Sequence, residues 1–116
     1  MITADKIITI VSDYFNVDKN MLNVKSRRAE YVKARHLAMY FCRHKTEWSY
    51  REVGNLFNRD HASVVHAIKS VNDRLDTEKV YKQDFENIEI LIEQAEEDYL
   101  ISLKDEEVYQ ESDFYK

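Results

Sequence analysis

The sequence predicts an all-α protein, and three features carry that prediction. Its 116 residues include no proline and one glycine, too few turn formers for a sandwich or a barrel. Apolar residues make up 44% of the chain, enough for one core, and they recur at helical spacing along most of it. The third feature is Trp48 to Val71, WSYREVGNLFNRDHASVVHAIKSV, which reads as two helices joined by a very short turn.

Taken in order, residues 3–15 form the first helix, with Thr3 as its N-cap and Ile7, Ile10, Val11, Tyr14 and Phe15 as its apolar stripe. Asn16 to Asn23 is a connector, with one helical turn from Asp18 pointing Val17, Met21 and Leu22 inward. Lys25-Ser26-Arg27-Arg28 follows as a basic loop; taken alone it reads as a solvated loop. Residues 30–45 form the longest confident helix. Tyr31, Ala34, Leu37, Ala38, Phe41 and Cys42 share one face of it, while Lys33, Arg35, His36, Arg43 and His44 lie elsewhere, within reach of phosphates.

Ser49-Tyr50-Arg51-Glu52 is a capping-box pattern, and Trp48 before it can staple onto Val53. Gly54 inside this short helix costs roughly 1 kcal/mol relative to Ala, which implies close approach of another helix. The second helix starts near Asp60 and is expected to bury Val64, Val65, Ala67, Ile68 and Val71. Arg59, Asp60, His61 and Ser63 stand at its polar first turn. A helix of that kind packed on a short preceding helix is the helix-turn-helix arrangement for the major groove.

Periodicity lapses after Leu75, over DTEKVYKQ, and returns from Asp84 to Leu103. There Phe85, Ile88, Leu91, Ile92, Ala95, Tyr99 and Leu103 form an inward stripe, with acids on the other face. The chain therefore divides into residues 1–75, an acidic amphipathic helical extension over 76–103, and an acidic tail without fixed structure over 104–116.

Charge separates these parts. Residues 1–75 hold 13 Lys and Arg against 8 Asp and Glu, a net +5, whereas residues 76–116 hold 4 against 14, a net −10. A basic front joined to an acidic back points to nucleic-acid binding with an acidic appendage. One cysteine, Cys42, excludes a disulfide framework and a cysteine-based zinc site. No stretch is apolar for long enough to cross a bilayer and no secretory segment opens the chain, so a cytoplasmic, nucleoid-associated protein is expected. His66 lies five residues past His61, and His36 and His44 are two turns apart without a carboxylate partner, so neither pair reads as a metal site. No nucleophile accompanies Asp60-His61, and one glycine precludes a phosphate-binding G-x-x-x-x-G-K-[ST] loop. Neither an enzyme nor a cofactor is expected.

These residues together resemble domain IV of DnaA, the DNA-binding domain of the bacterial replication initiator. The family's segment is IG-x-x-F, a short turn, then R-D-H-[TS]-T-V-x-H-A. Here it reads Val53-Gly54-Asn55-Leu56-Phe57, Asn58, then Arg59-Asp60-His61-Ala62-Ser63-Val64-Val65-His66-Ala67. Ala34-Arg35-His36-Leu37-Ala38-Met39-Tyr40 is similar to the family's long helix. The resemblance covers about residues 3–75, and more weakly reaches residue 92. It implies a Trp-repressor-like helical domain that recognises a short A/T-rich box in double-stranded DNA. In such domains the Arg-Asp-His segment enters the major groove, a role that falls on Arg59, Asp60, His61, Ala62 and Ser63, with Asn58 in the turn. Arginine can be bidentate to guanine, aspartate can accept from the cytosine amino group, and a small methyl can touch thymine. Arg27 holds the family's minor-groove position, with Arg28 and Lys25 nearby, and Arg35 and Arg43 match phosphate-contacting positions.

The chain departs from the family at three points. Asn58 replaces a pair of glycines, which shortens the turn by one residue. Ala62-Ser63 stands where the family has Thr/Ser-Thr, a change that bears on which box is preferred. No ATPase is expected, so the resemblance implies a free-standing relative of the box-reading domain. The resulting expectation is sequence-specific double-stranded DNA binding in replication initiation or its regulation. The alternative is an interaction protein that keeps this fold and binds a replication or transcription partner through residues 84–103.

Overall fold

Helix α1 (Ala4–Phe15) begins where the Thr3 hydroxyl accepts from the Lys6 amide at 3.2 Å. It ends at Asn16, whose left-handed φ of 54° lets the Val17 amide reach back to the Ser12 carbonyl at 3.0 Å. This computed structural model describes the backbone of residues 1–114 and the side chains of residues 1–104. Asp18 caps a single 3-10 turn, Lys19–Leu22, that carries Leu22 into the core, while Val17 and Met21 stay half-buried.

Helix α2 (Ala29–Lys45) is the central rod. Ala34, Leu37, Ala38, Phe41 and Cys42 are buried, as their shared face predicts. Met39 is buried as well, because neighbouring helices flank α2 on more than one side. Burial pushes the Cys42 thiol up to about 12, so it serves as an inert packing group.

The predicted capping box forms at α3 (Tyr50–Leu56): Ser49 accepts from the Glu52 amide, and the Glu52 carboxylate accepts from the Ser49 amide. The short α3 packs on α4 (His61–Thr77), which buries Val64, Ala67 and Val71 and half-buries Ile68. Val65 departs from expectation. It lies about 100° round the helix from Val64, on the face turned away from the core, and is 46% exposed.

Glu78 breaks the chain between α4 and α5 (Lys79–Phe114) with an extended backbone, and its carboxylate pairs with Arg74 at 2.6 Å. Tyr81 sits within the stretch that appeared aperiodic, yet it is 1% exposed. It starts the stripe Tyr81, Phe85, Ile88 and Ile92, which packs on the same core as the other helices. The division drawn after Leu75 therefore does not separate two cores. The rest of the expected stripe is only partly covered. Leu91, Tyr99 and Leu103, expected to pack inward, are 40%, 54% and 39% exposed.

The helix also continues to Phe114, past residue 104 where an unstructured acidic tail was expected. No glycine or proline follows Gly54, and the residues there include good helix formers, so nothing in the backbone stops it. Residues 115 and 116 of that expected tail lie outside the described residues.

One polar network ties three helices together. Tyr14 donates to Asp84 at 2.8 Å, Lys33 donates to the other carboxylate oxygen at 2.6 Å, and Asn87 donates to the Tyr14 oxygen at 2.9 Å. It joins α1, α2 and α5 on the side where acidic α5 meets the basic half. Among the described residues, no helix is long and apolar enough to cross a membrane.

Candidate nucleic-acid interface

The turn between α3 and α4 sets the angle of α4. Asn58 adopts φ 54°, the left-handed conformation its side chain tolerates, and the Arg59 amide then reaches the Gly54 carbonyl at 2.9 Å. A β-carbon on Gly54 would lie 2.6 Å from the Arg59 carbonyl oxygen. The close approach that Gly54 implied is thus made by the first residues of the helix entry, Arg59 and Asp60.

Asp60 caps α4. One of its carboxylate oxygens accepts from the Ser63 amide at 2.9 Å and from the Ser63 hydroxyl at 2.8 Å. Those bonds, backbone first, hold the carboxyl below its ordinary range. His61, Ala62, Val65, His66 and Lys69 then form the exposed face of the first turns.

Two arginines behave differently from their sequence reading. Arg35 is 5% exposed, with Nε on the Leu22 carbonyl and Nη2 on the carbonyls of Val24 and Ser26. Those nitrogens are spent on bracing the basic loop and are not available to a phosphate. Burial, then the nearby Arg59 charge, lowers this guanidinium from its usual value. Arg59 donates through Nη1 to the carbonyls of Phe57 and Asn58 and through Nη2 to that of Val24, at 2.8 Å. In this arrangement it faces the loop and holds it, where a guanine contact was expected. In both cases backbone carbonyls, of the basic loop for Arg35 and of the loop and the α3–α4 turn for Arg59, hold the guanidinium nitrogens.

Arg43, also expected at phosphates, is half-buried with its guanidinium carbon 4.7 Å from the Tyr50 ring centroid, bridging α2 to α3. Arg28 pairs with Glu30 at 3.3 Å and lies over Tyr31. Lys25 and Arg27 are exposed and, among the described residues, form no ion pair.

The basic loop and α4 face each other across a groove lined by Lys25, Ser26, Arg27, His36, Ser63 and His66, among others. His36 lies partly buried in its wall, edge-on to His66 with ring centroids 6.2 Å apart. Burial first, and then the charges of His66, Arg35 and Arg74, take His36 down to about 4. It is a neutral imidazole at pH 7. Sequence spacing placed it off the apolar face of α2 but could not show that α4 covers it.

Residues 4–71 match the family described as the bacterial DnaA protein helix-turn-helix. The chromosomal replication initiator protein DnaA of Bacteroides fragilis is 38% identical over 92 residues, 78% of this chain and 19% of that protein. That of Bacteroides thetaiotaomicron is 35% identical over 92 residues, 78% of this chain and 20% of its own length. The Flavobacterium psychrophilum protein of the same name is 39% identical over 88 residues, 75% of this chain and 18% of its own length. The chain spans about a fifth of the length of these curated relatives.

Proposed function

The chain belongs to the bacterial DnaA helix-turn-helix family, and on that premise we propose that it binds double-stranded DNA sequence-specifically at a short A/T-rich box. The setting is replication initiation or its control, in association with the nucleoid. One observation carries this reading: the exposed first turns of α4 and the exposed Lys25 and Arg27 flank a single groove. A duplex seated there meets His61 and Ala62 in its major groove and Arg27 in the adjacent minor groove. Phosphates between the two cross Lys25 and His66.

Asp60 contributes through its cap, and its second carboxylate oxygen is left to accept from a cytosine amino group. Arg35 and Arg59 act through the loop they brace. The net charge of +5 on residues 1–75 supplies the sequence-independent attraction, which weakens steeply with salt.

The test compares binding to a duplex selected from a randomised pool with binding to its scrambled counterpart. His61→Ala and Arg27→Ala should each lose about tenfold or more on the selected duplex, a loss in line with one base contact, with unchanged melting temperature. Equal, feeble binding to both duplexes would remove the reading.

A protein partner on α5 is a second reading, favoured by the exposure of Leu91, Tyr99, Leu100, Ile101 and Leu103 beside Glu93, Glu96, Glu97 and Asp98. Replacing Tyr99 and Leu100 by Ser should then abolish crosslinking to that partner in cells and leave DNA affinity intact. Identical crosslinked species with and without the replacements would rule it out.

A further inference from the structure

The recognition face of α4 carries one large apolar side chain, and the box-reading account has not used it. Val65 is 46% exposed, while Val64, Ala67 and Val71 on the same helix are fully buried. It stands three residues after Ala62 and four after His61, so all three share one face, with Lys69 one turn further on. A β-branched side chain gains nothing from helix propensity here and has no core to enter. Its immediate surroundings on that face are polar: His61 one turn before it, Lys69 one turn after it, and His66 next round the helix. Ala62 and Val65 thus form a small aliphatic patch inside a hydrogen-bonding rim.

We propose that Val65 is a specificity-determining residue that, together with Ala62, reads thymine through its C5-methyl group. This rests on the reading that α4 enters the major groove and extends it to the base steps beyond those met by His61. The methyl of thymine is the apolar group that the major-groove edge presents; the other edges offer hydrogen-bond donors and acceptors. An isopropyl group pressed on a thymine methyl removes water from both. Pressed on a cytosine amino group or a guanine acceptor, it leaves that polar group without a partner. The same side chain therefore favours thymine and disfavours its competitors.

The experiment removes the methyl from the DNA and the isopropyl from the protein in one cycle. Each thymine of the selected duplex is replaced singly by deoxyuridine, which lacks the methyl and keeps every hydrogen-bonding group. Binding is measured for the wild-type chain and for Val65→Ala, with Val65→Thr as a variant of the same shape. At one or two positions the wild type should lose roughly fourfold, the value of one buried methyl. Val65→Ala should show the same loss on the unmodified duplex and be indifferent to deoxyuridine at those positions. Val65→Thr should lose affinity despite its shape. Melting temperatures should not fall, because Val65 lies outside the core and alanine is the better helix former. Additive effects of methyl removal and Val65→Ala at every position, with preference over the scrambled duplex retained, overturn this inference alone. Loss of that preference in the wild type overturns the box reading beneath it as well.

Discussion

Arg35 and Arg59 share one acceptor: the Val24 carbonyl receives Nη2 of the first at 3.1 Å and Nη2 of the second at 2.8 Å. A carbonyl oxygen has two lone pairs and can serve both. The consequence is mechanical. One guanidinium comes from the central helix and the other from the turn before the recognition helix, so the basic loop is clamped between the two elements it must be aligned with.

Arg35→Met keeps much of the aliphatic stem and strips the side-chain donors from the carbonyls of Leu22 and Ser26, leaving Val24 with Arg59 alone. Leaving buried acceptors unmet and losing a charge-assisted brace should cost about 2–4 kcal/mol in urea denaturation. DNA affinity should fall with it, while the salt slope changes little. Arg27→Ala should do the reverse, leaving stability unchanged and lowering the salt slope by about 1. A flattened slope in Arg35→Met with full stability would show that Arg35 is a phosphate contact after all.

Gly54→Ala sets two effects against each other. Helix propensity favours alanine by about 1 kcal/mol. The new β-carbon, however, meets backbone atoms at 2.6, 3.1 and 3.2 Å, and backbone cannot swing aside as a side-chain tip can. Overpacking of this kind should win, with a net loss of about 1–2 kcal/mol at the urea midpoint. Because the clash is with Arg59 and Asp60, weaker binding to the selected duplex should accompany it. A stabilised Gly54→Ala protein would mean that the α3–α4 approach is looser than its geometry.

Asn58 tests the shortened turn. At φ 54° a glycine fits without strain, so Asn58→Gly should keep stability within about 0.5 kcal/mol, whereas Asn58→Val should lose about 1–2 kcal/mol. Thermal denaturation of the two variants side by side checks the contrast. Equal melting temperatures would show that the left-handed turn is not what holds the recognition helix in place.

What the sequence disclosed, and what it hid, divides along one physical line. The caps at Thr3 and at Ser49 with Glu52 were legible because a cap is settled within three residues of itself. The close approach at Gly54 was legible for a similar reason, since the atoms it meets lie five and six residues on. The burial of Tyr81, the exposure of Val65 and the partners of Arg35 and Arg59 were not legible, because they depend on what lies across space. Arg35 and Arg59 sit on polar positions, yet carbonyls 9 to 35 residues away in sequence or its immediate neighbours claim them. Tyr81 shows its register only once Phe85, Ile88 and Ile92 are known to face the body. Val65 carries an apolar side chain at a position that faces outward, a mismatch that sequence pattern resolves the wrong way and that marks a surface with something to contact.

His36 makes the last prediction, one about pH. Its folded-state value of about 4 lies below the ordinary 6.5, so between those limits the unfolded chain binds a proton that the folded chain does not. Stability from this group is complete above about pH 6.5 and falls progressively as pH drops toward 4; below that it falls no further. The full difference corresponds to roughly 3 kcal/mol, reduced to about 2 kcal/mol because the imidazole is partly solvated. His36→Gln removes the titration and keeps a neutral polar side chain in the wall of the groove. Urea midpoints measured for both proteins at pH 7, 6, 5 and 4.5 isolate the histidine, since the carboxylates are common to both. The wild type should lose stability relative to the variant as pH falls through this window. Parallel curves would mean that His36 titrates alike in the folded and unfolded chains, and that α4 does not cover it.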